Sequence, residues 1–299
     1  MNRRDFLQTA AAGTASLLLG DAARAQKISL PRIKSTFNGV VIGCNTYSLP
    51  ELPFDQALAA IAEIGFGLCE IHPRHLEPFF GRGSSARAEN REKLRQWRLS
   101  SGIAQSEAFG KKVKQAGLYL YAYNCNYQHD MTDAELERTF EMTRAMGARV
   151  ITAAGDQEGR ELTRRLDPLA RKYKIRVGLH NHASSIRGEA DYDAALKGLS
   201  EYMAMTLDIG HYVSANADPV PLLRKRHDDI VALHIKDRRR NGGSDMPFGQ
   251  GDTPIKEVLA LLRENKWTIP ANIEWEIAGP DRVEAVRRSF EYCKQALLA

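Results

Sequence analysis

One pattern restricts the fold of this 299-residue chain more than any other feature. From residue 39 onward, apolar strand-like runs alternate with amphipathic stretches of helical spacing. Strand candidates fall at residues 39–47, 67–73, 118–124, 149–154, 175–181, 203–209, 230–236 and 272–277. Between them lie helical patterns such as "FDQALAAIAEIG", "DAELERTFEMTRAMG", "EGRELTRRLDPLARKY" and "DRVEAVRRSFEYCKQALL". Gly65 and Gly147 follow helical runs as C-terminal caps do, while Asp218-Pro219 and Thr253-Pro254 read as N-caps with proline in the first turn. Strands that alternate with helices at a period of roughly 25–35 residues must run parallel and be joined by crossover helices. A doubly wound dinucleotide sheet would want a glycine-rich loop after its first strand, and none follows. The spacing therefore predicts an α/β chain folded as a single (β/α)8 TIM barrel over residues 39–299, after a lead at 26–38. The stretch 77–116 is longer than one crossover needs. It is expected to hold a loop near the barrel mouth and then two helices.

Residues 1–25 form a separate segment. A twin arginine (Arg3, Arg4) precedes Phe6 and Leu7, an apolar run "TAAAGTASLLLG" follows, and "ARA" closes at Ala25. That layout is an export signal of the twin-arginine type, which places the mature chain in the periplasm or otherwise outside the cytoplasm. Nothing later in the chain is apolar for long enough to act as a membrane anchor once the signal is cleaved. The net charge is +5, of which the signal contributes +3 and −2, leaving a mild +4. Basic residues in "ENREKLRQWR" are interleaved with acidic ones, so nucleic acid is not the expected partner. Cys44, Cys69, Cys125 and Cys293 lie far apart in sequence; three occupy apolar runs, no CxxC metal motif exists, and sequence cannot pair them.

A barrel of this kind carries its chemistry at the C-terminal ends of its strands. Those ends hold Glu70 and His72, then His180 and His182, then Asp208 and His211, then His234, Lys236 and Asp237, and finally Glu274 and Glu276. Five of the eight histidines fall there. Each residue alone has an ordinary reading: a hydrogen-bonded strand-end histidine, a turn aspartate before Gly210, a solvated loop at Asp237. Their coincidence argues otherwise, because the last four strands each bring an imidazole or carboxylate to one level. Burying such groups together without a cation would strand polar atoms. One divalent metal ion shared by the last four strand ends is thus the economical reading.

At these residues the chain resembles the sugar phosphate isomerase/epimerase family, the xylose isomerase-like barrels. The likeness rests on "TLDIGHY", "NADPV", "IVALHIKDR", "FGQGDTPIKEVL" and "NIEWEI", in that order and spacing. The resemblance implies one metal held at the last four strand ends by Glu, Asp, His and Glu, which maps the ligand positions to His180, Asp208, His234 and Glu274 and places His211 near the substrate. Two imidazoles with two carboxylates suit Mn²⁺, Zn²⁺, Co²⁺ or Fe²⁺ better than Mg²⁺. In "HNH", His180 stands where the family usually places a glutamate. Two carboxylates rather than three around a divalent ion leave the site neutral, hence more electrophilic. A two-glutamate epimerase mechanism is correspondingly weakened. Glu274, Glu276, His182 and His211 are the candidate catalytic residues, and Glu70, His72, Asn124 and Lys236 the candidate substrate contacts, with residues 241–252 as a lid. The expected activity is abstraction of a proton α to a carbonyl of an unphosphorylated sugar or keto-sugar. β-Elimination from a 3-keto-sugar or keto-glycoside is the nearest alternative, and a Schiff-base enzyme on Lys236 or a non-catalytic sugar-binding barrel are more remote. Oligomeric state stays open.

Overall fold

The computed structural model describes residues 28–78, 87–154 and 161–299. The export signal, and most of the loop expected at the barrel mouth, lie outside the described residues. The lead is tied to the barrel: Ile33 is buried, and β1 (Thr36–Phe37) pairs antiparallel with β2 (Val40–Asn45).

The chain then runs through α1 (Phe54–Ile64), β3 (Leu68–Ile71), α2 (Pro73–Leu76), α3 (Arg87–Ser100), α4 (Gly102–Gln115), β4 (Tyr119–Cys125), α5 (Asp133–Ala145), β5 (Val150–Ala154) and α6 (Glu161–Tyr173). It continues with β6 (Arg176–His180), α7 (Glu189–Leu196), β7 (Met203–Asp208), α8 (Ile209–Ser214), α9 (Pro219–Arg226), β8 (Ile230–Ile235), α10 (Ile255–Glu264), β9 (Ala271–Ile273) and α11 (Arg282–Leu298). Strands β2 to β9 pair in parallel in sequence order, and β9 returns to β2 through Gly43↔Asn272 and Cys44↔Ile273. The sheet is a closed eight-stranded barrel inside a ring of helices, a single TIM barrel.

Local chemistry explains the element ends. In α1, Phe54, Ala57, Leu58, Ile61 and Ile64 form the buried stripe, and Gly65 stops the helix at φ 120°. Thr132 and Glu135 close a reciprocal capping box on α5, and Asp218 caps α9 with Pro219 in its first turn. Thr253-Pro254 behaves differently from expectation. Pro254 itself is the N-cap of α10, and Thr253 Oγ1 accepts the Arg238 backbone N–H instead.

Two strands are shorter than their apolar runs. β3 ends at Ile71, because His72 caps α2 and Pro73 opens it; β9 ends at Ile273, leaving Glu274 and Glu276 on the segment beyond. Among the described residues three helices escaped the periodicity reading, α2, α7 and α8. The last has only six residues, buried throughout, so it shows no polar face.

A bidentate ion pair pins α3 to the barrel. Arg98 Nε and Nη2 donate to Glu77 Oε1 and Oε2 at 2.7 and 2.8 Å, and the Tyr123 hydroxyl donates to Oε1 at 2.7 Å. Among the described residues no helix is long and apolar enough to cross a membrane. All four cysteines are free and buried.

Candidate active site at the C-terminal mouth

Parallel closure brings the ends of β6, β7, β8 and β9 side by side. His180 ends β6 opposite Thr206, and Asp208 ends β7 opposite His234. His180 Nε2 lies 3.0 Å from His234 Nδ1 and 3.6 Å from Asp208 Oδ2, while His234 Nδ1 lies 3.2 Å from Glu274 Oε2. One donor atom from each of His180, Asp208, His234 and Glu274 falls within 4.8 Å of all the others. All four residues are at most 5% exposed. A first-row ion with bonds of about 2.0–2.2 Å keeps its ligands within about 4.4 Å of one another, so a small closing movement would suit the four atoms to one ion.

Asp208, His234 and Glu274 are each held from behind. Asp208 divides its two oxygens: Oδ1 accepts the His211 backbone N–H at 2.7 Å and caps α8, while Oδ2 faces the cluster. That Oδ2 is buried with no donor aligned on it, although the Lys236 ammonium stands 3.2 Å away. A carboxylate oxygen with no aligned donor, beside two imidazoles and a second carboxylate, is one that a bound cation would satisfy. The residues present therefore fit a divalent metal.

Asn181 joins β6 to β7. Its Oδ1 accepts the Asp208 N–H at 2.8 Å, its Nδ2 donates to the Asp208 carbonyl at 2.9 Å, and Tyr192 donates to the same Oδ1 at 2.8 Å. Behind His234, Glu70 Oε2 meets the other ring nitrogen, Nε2, at 3.0 Å. Glu70 in turn accepts from Asn272 Nδ2 at 3.1 Å and Asn45 Nδ2 at 3.4 Å, and Asn45 also donates to Glu274 Oε1 at 3.0 Å. Gly43 leaves the room this network needs, since a Cβ there would sit 2.2 Å from Asn272 Oδ1.

The charges are strongly coupled. Burial would lower the His234 pKa, but Glu70 and Glu274 outweigh it and hold the imidazolium well above its usual range. Lys236, likewise buried, is kept charged by Asp208, Glu274 and Glu276, whose oxygens lie 3.2, 3.0 and 2.8 Å from its Nζ. Asp208 and Glu274 resist burial and stay well below the carboxylate range because Lys236 faces both, with His234 adding to the effect on Glu274. Glu276 goes the other way. Burial raises it despite Lys236, and 27% of its side chain faces the mouth. Desolvation pushes His182 down to about 4 and His211 to about 2.

The geometry sorts the candidates by place. His180 and His182 do share a side, their ring centroids 4.6 Å apart, and His182 is 4.9 Å from His211. His72 is partly exposed, accepts the Arg74 N–H at its Nδ1 and lies against Tyr47 at 4.4 Å. Asn124 stands next to last in β4, in register with Thr152. Glu70 does not sit where a substrate contact was expected. It is wholly buried, its Oε2 against His234 Nε2. Asp237 is no solvated loop residue either. It is 1% exposed and accepts the backbone N–H groups of Gly249, Gly251 and Thr253, which ties down the segment read as a lid. Asn45, Asn181, Asn272 and Arg238 were missed, because a lone asparagine or arginine in a strand or loop carries no motif.

A closed barrel with a buried His-Asp-His-Glu cluster at its C-terminal mouth defines a class: a TIM barrel whose mouth carries a cluster that could hold a metal ion. Residues 58–296 match the family model of the xylose isomerase-like TIM barrel, and the chain belongs to that family. Residues 1–20 match the twin-arginine translocation signal, which directs export across the membrane to the periplasm. Among curated relatives, inosose dehydratase of Lactiplantibacillus plantarum is 25% identical over 152 residues, 44% of this chain and 50% of that protein. The match thus spans about half the length of such relatives. Among solved structures, a sugar phosphate isomerase/epimerase from Parabacteroides distasonis superposes with a TM-score of 0.64 at 18% identity, covering 93% of this chain and 99% of that one. The 3-keto-D-glucoside 4-epimerase of E. coli gives 0.63 at 16% identity, covering 86% and 99%. At such identities the superpositions establish the fold.

Proposed function

We propose that the protein is a divalent-metal-dependent enzyme that removes a proton α to the carbonyl of an unphosphorylated sugar or keto-sugar. The observation that carries this reading is the buried convergence of His180, Asp208, His234 and Glu274 within 4.8 Å. Export supports an unphosphorylated substrate, and the two-imidazole, two-carboxylate set favours Mn²⁺, Zn²⁺, Co²⁺ or Fe²⁺ over Mg²⁺. A divalent cation on these four residues supplies Lewis acidity that makes the neighbouring C–H acidic.

The remaining work falls to the chain itself. Glu276, raised by burial and open to the mouth, takes the α-proton on its carboxylate. Lys236 fixes Glu274 and Glu276 on a single Nζ, so both carboxylates approach the substrate from one side. His182 and His211 line the site beside them, their rings 4.9 Å apart and His211 Nε2 3.3 Å from the same Nζ, with His72 and Asn124 toward the ends of other strands.

That one-sidedness favours a second reading, β-elimination. Paired-base epimerisation wants carboxylates on opposite faces of the sugar, and here β6 presents His180. Elimination needs the same deprotonation with one base, and the inosose dehydratase relatives are consistent with it. The test is metal-loaded mature protein with keto-sugars in D₂O. Deuterium entering the α-position establishes the proton abstraction. Loss of water then marks a dehydratase, and a rearranged sugar an isomerase. No exchange with any keto-sugar, or no bound metal after reconstitution, would sink the proposal.

A further inference from the structure

We infer that Arg238 is a positioning residue that fixes the tautomer of His211, making its Nε2–H a hydrogen-bond donor toward an oxygen of the bound sugar. The sugar rests on the function proposed above; the tautomer does not.

The inference follows from donor counting. Arg238 Nη1 lies 2.6 Å from His211 Nδ1, and Lys236 Nζ lies 3.3 Å from His211 Nε2. Each ring nitrogen thus faces a cation that can only donate, and a ring flanked by two cations stays neutral. A neutral imidazole owns one lone pair, so one of these contacts is not a hydrogen bond to the ring. Two facts give the lone pair to Nδ1. The Arg238 contact is the shorter by far. Lys236, moreover, has the closer Glu274 and Glu276 oxygens at 3.0 and 2.8 Å to take its hydrogens, whereas Arg238 Nε and Nη2 already point at the Gly243 carbonyl, at 3.3 and 3.0 Å, and leave Nη1 for His211.

The guanidinium is itself held in place. Nε is 3.5 Å from Asp245 Oδ1, the Arg238 N–H is taken by Thr253 Oγ1 at 3.0 Å, and the Gly242 N–H reaches back to the Ser214 carbonyl at the end of α8. The segment after β8 therefore acts as a brace for His211. With Nδ1 occupied and Nε2 protonated, His211 cannot take a proton from the substrate. It can only donate, which is the role required where negative charge develops on a carbonyl oxygen.

The experiment is long-range ¹H–¹⁵N correlation on histidine-labelled mature protein loaded with diamagnetic Zn²⁺, using His211→Gln to identify the His211 signals. Wild type should show a protonated, pyrrole-type Nε2 and a pyridine-type Nδ1. Arg238→Met should lose that pattern to an averaged or reversed one, and Arg238→Lys, which keeps a cationic donor, should retain it. An Nδ1-protonated His211 in wild type, or an unchanged pattern in Arg238→Met, would overturn the inference. The wild-type spectrum decides the point even if Arg238→Met fails to fold. The readout needs no substrate, so inactivity toward keto-sugars would count against the proposed function and leave this assignment standing.

Discussion

His234 is gripped at both ring nitrogens by carboxylates: Glu70 Oε2 lies 3.0 Å from Nε2, and Glu274 Oε2 lies 3.2 Å from Nδ1. Glu70 comes 164 residues earlier in the chain and is wholly buried, which suits it to orient the His234 ring rather than to touch substrate. Carboxylate partners of metal-bound histidines fix the ring and raise its basicity. Glu70→Gln keeps the shape and removes the charge. It should weaken divalent-metal affinity by about 10–100-fold, as measured by calorimetric titration of the chelator-treated protein. Unchanged affinity would assign Glu70 to the fold alone.

The stability of the metal-free protein should peak near neutral pH. Burial holds His72 and His182 down to about 4 and His211 to about 2, so these rings bind protons in the unfolded chain before they do in the folded one. Stability therefore rises as the pH climbs from about 4 to about 6.5, the unfolded histidine value. His234 has the opposite sign. Its raised pKa contributes stability that is complete below about 6.5 and is lost as the pH rises toward its folded value. Melting curves of chelator-treated protein across this range should trace a bell, and His234→Gln should flatten its alkaline limb. A wild-type curve that keeps rising above pH 7 would contradict the assignment.

Arg98 and Glu77 are buried at 2% and 3% exposure and paired bidentately, with the Tyr123 hydroxyl on the same carboxylate. Removing Arg98 leaves the Glu77 carboxylate uncompensated in the interior, whereas removing Glu77 leaves Arg98 only Glu135 Oε1, at 3.5 Å. Arg98→Met should cost about 3–5 kcal/mol in denaturant unfolding. The double variant Arg98→Met/Glu77→Gln should recover part of that loss, whereas simple additivity would show that the pair is not coupled.

Export by a route that carries folded proteins means the four cysteines are buried before they meet an oxidising compartment. Burial raises the thiol pKa to about 12 at Cys44 and Cys125 and higher still at Cys69 and Cys293, so thiolate is scarce at neutral pH. A thiol reagent should find no fast-reacting cysteine in the native protein and four after denaturation. A missing pair under denaturing, non-reducing conditions would reveal a disulfide.

Periodicity alone determined the barrel, because strand and helix repeats of this length leave few ways to bury both. It also determined which polar residues gather at one level, since the end of a parallel strand is readable from where its apolar run stops. The same rule placed His180 and His182 on one side. Its errors lie where a local stop overrides the run: Pro73 after His72, and the early end of β9 at Ile273. What only the tertiary structure decided is the second layer around the site. Glu70 meets His234 across the barrel, Asn181 ties Asp208 to its neighbouring strand, and Arg238 reaches His211 from the following loop. Those partners are set by which strands and loops become neighbours in the closed barrel, across 27 positions for the Asn181 and Arg238 contacts and 164 for Glu70 with His234, a relation that no local pattern encodes.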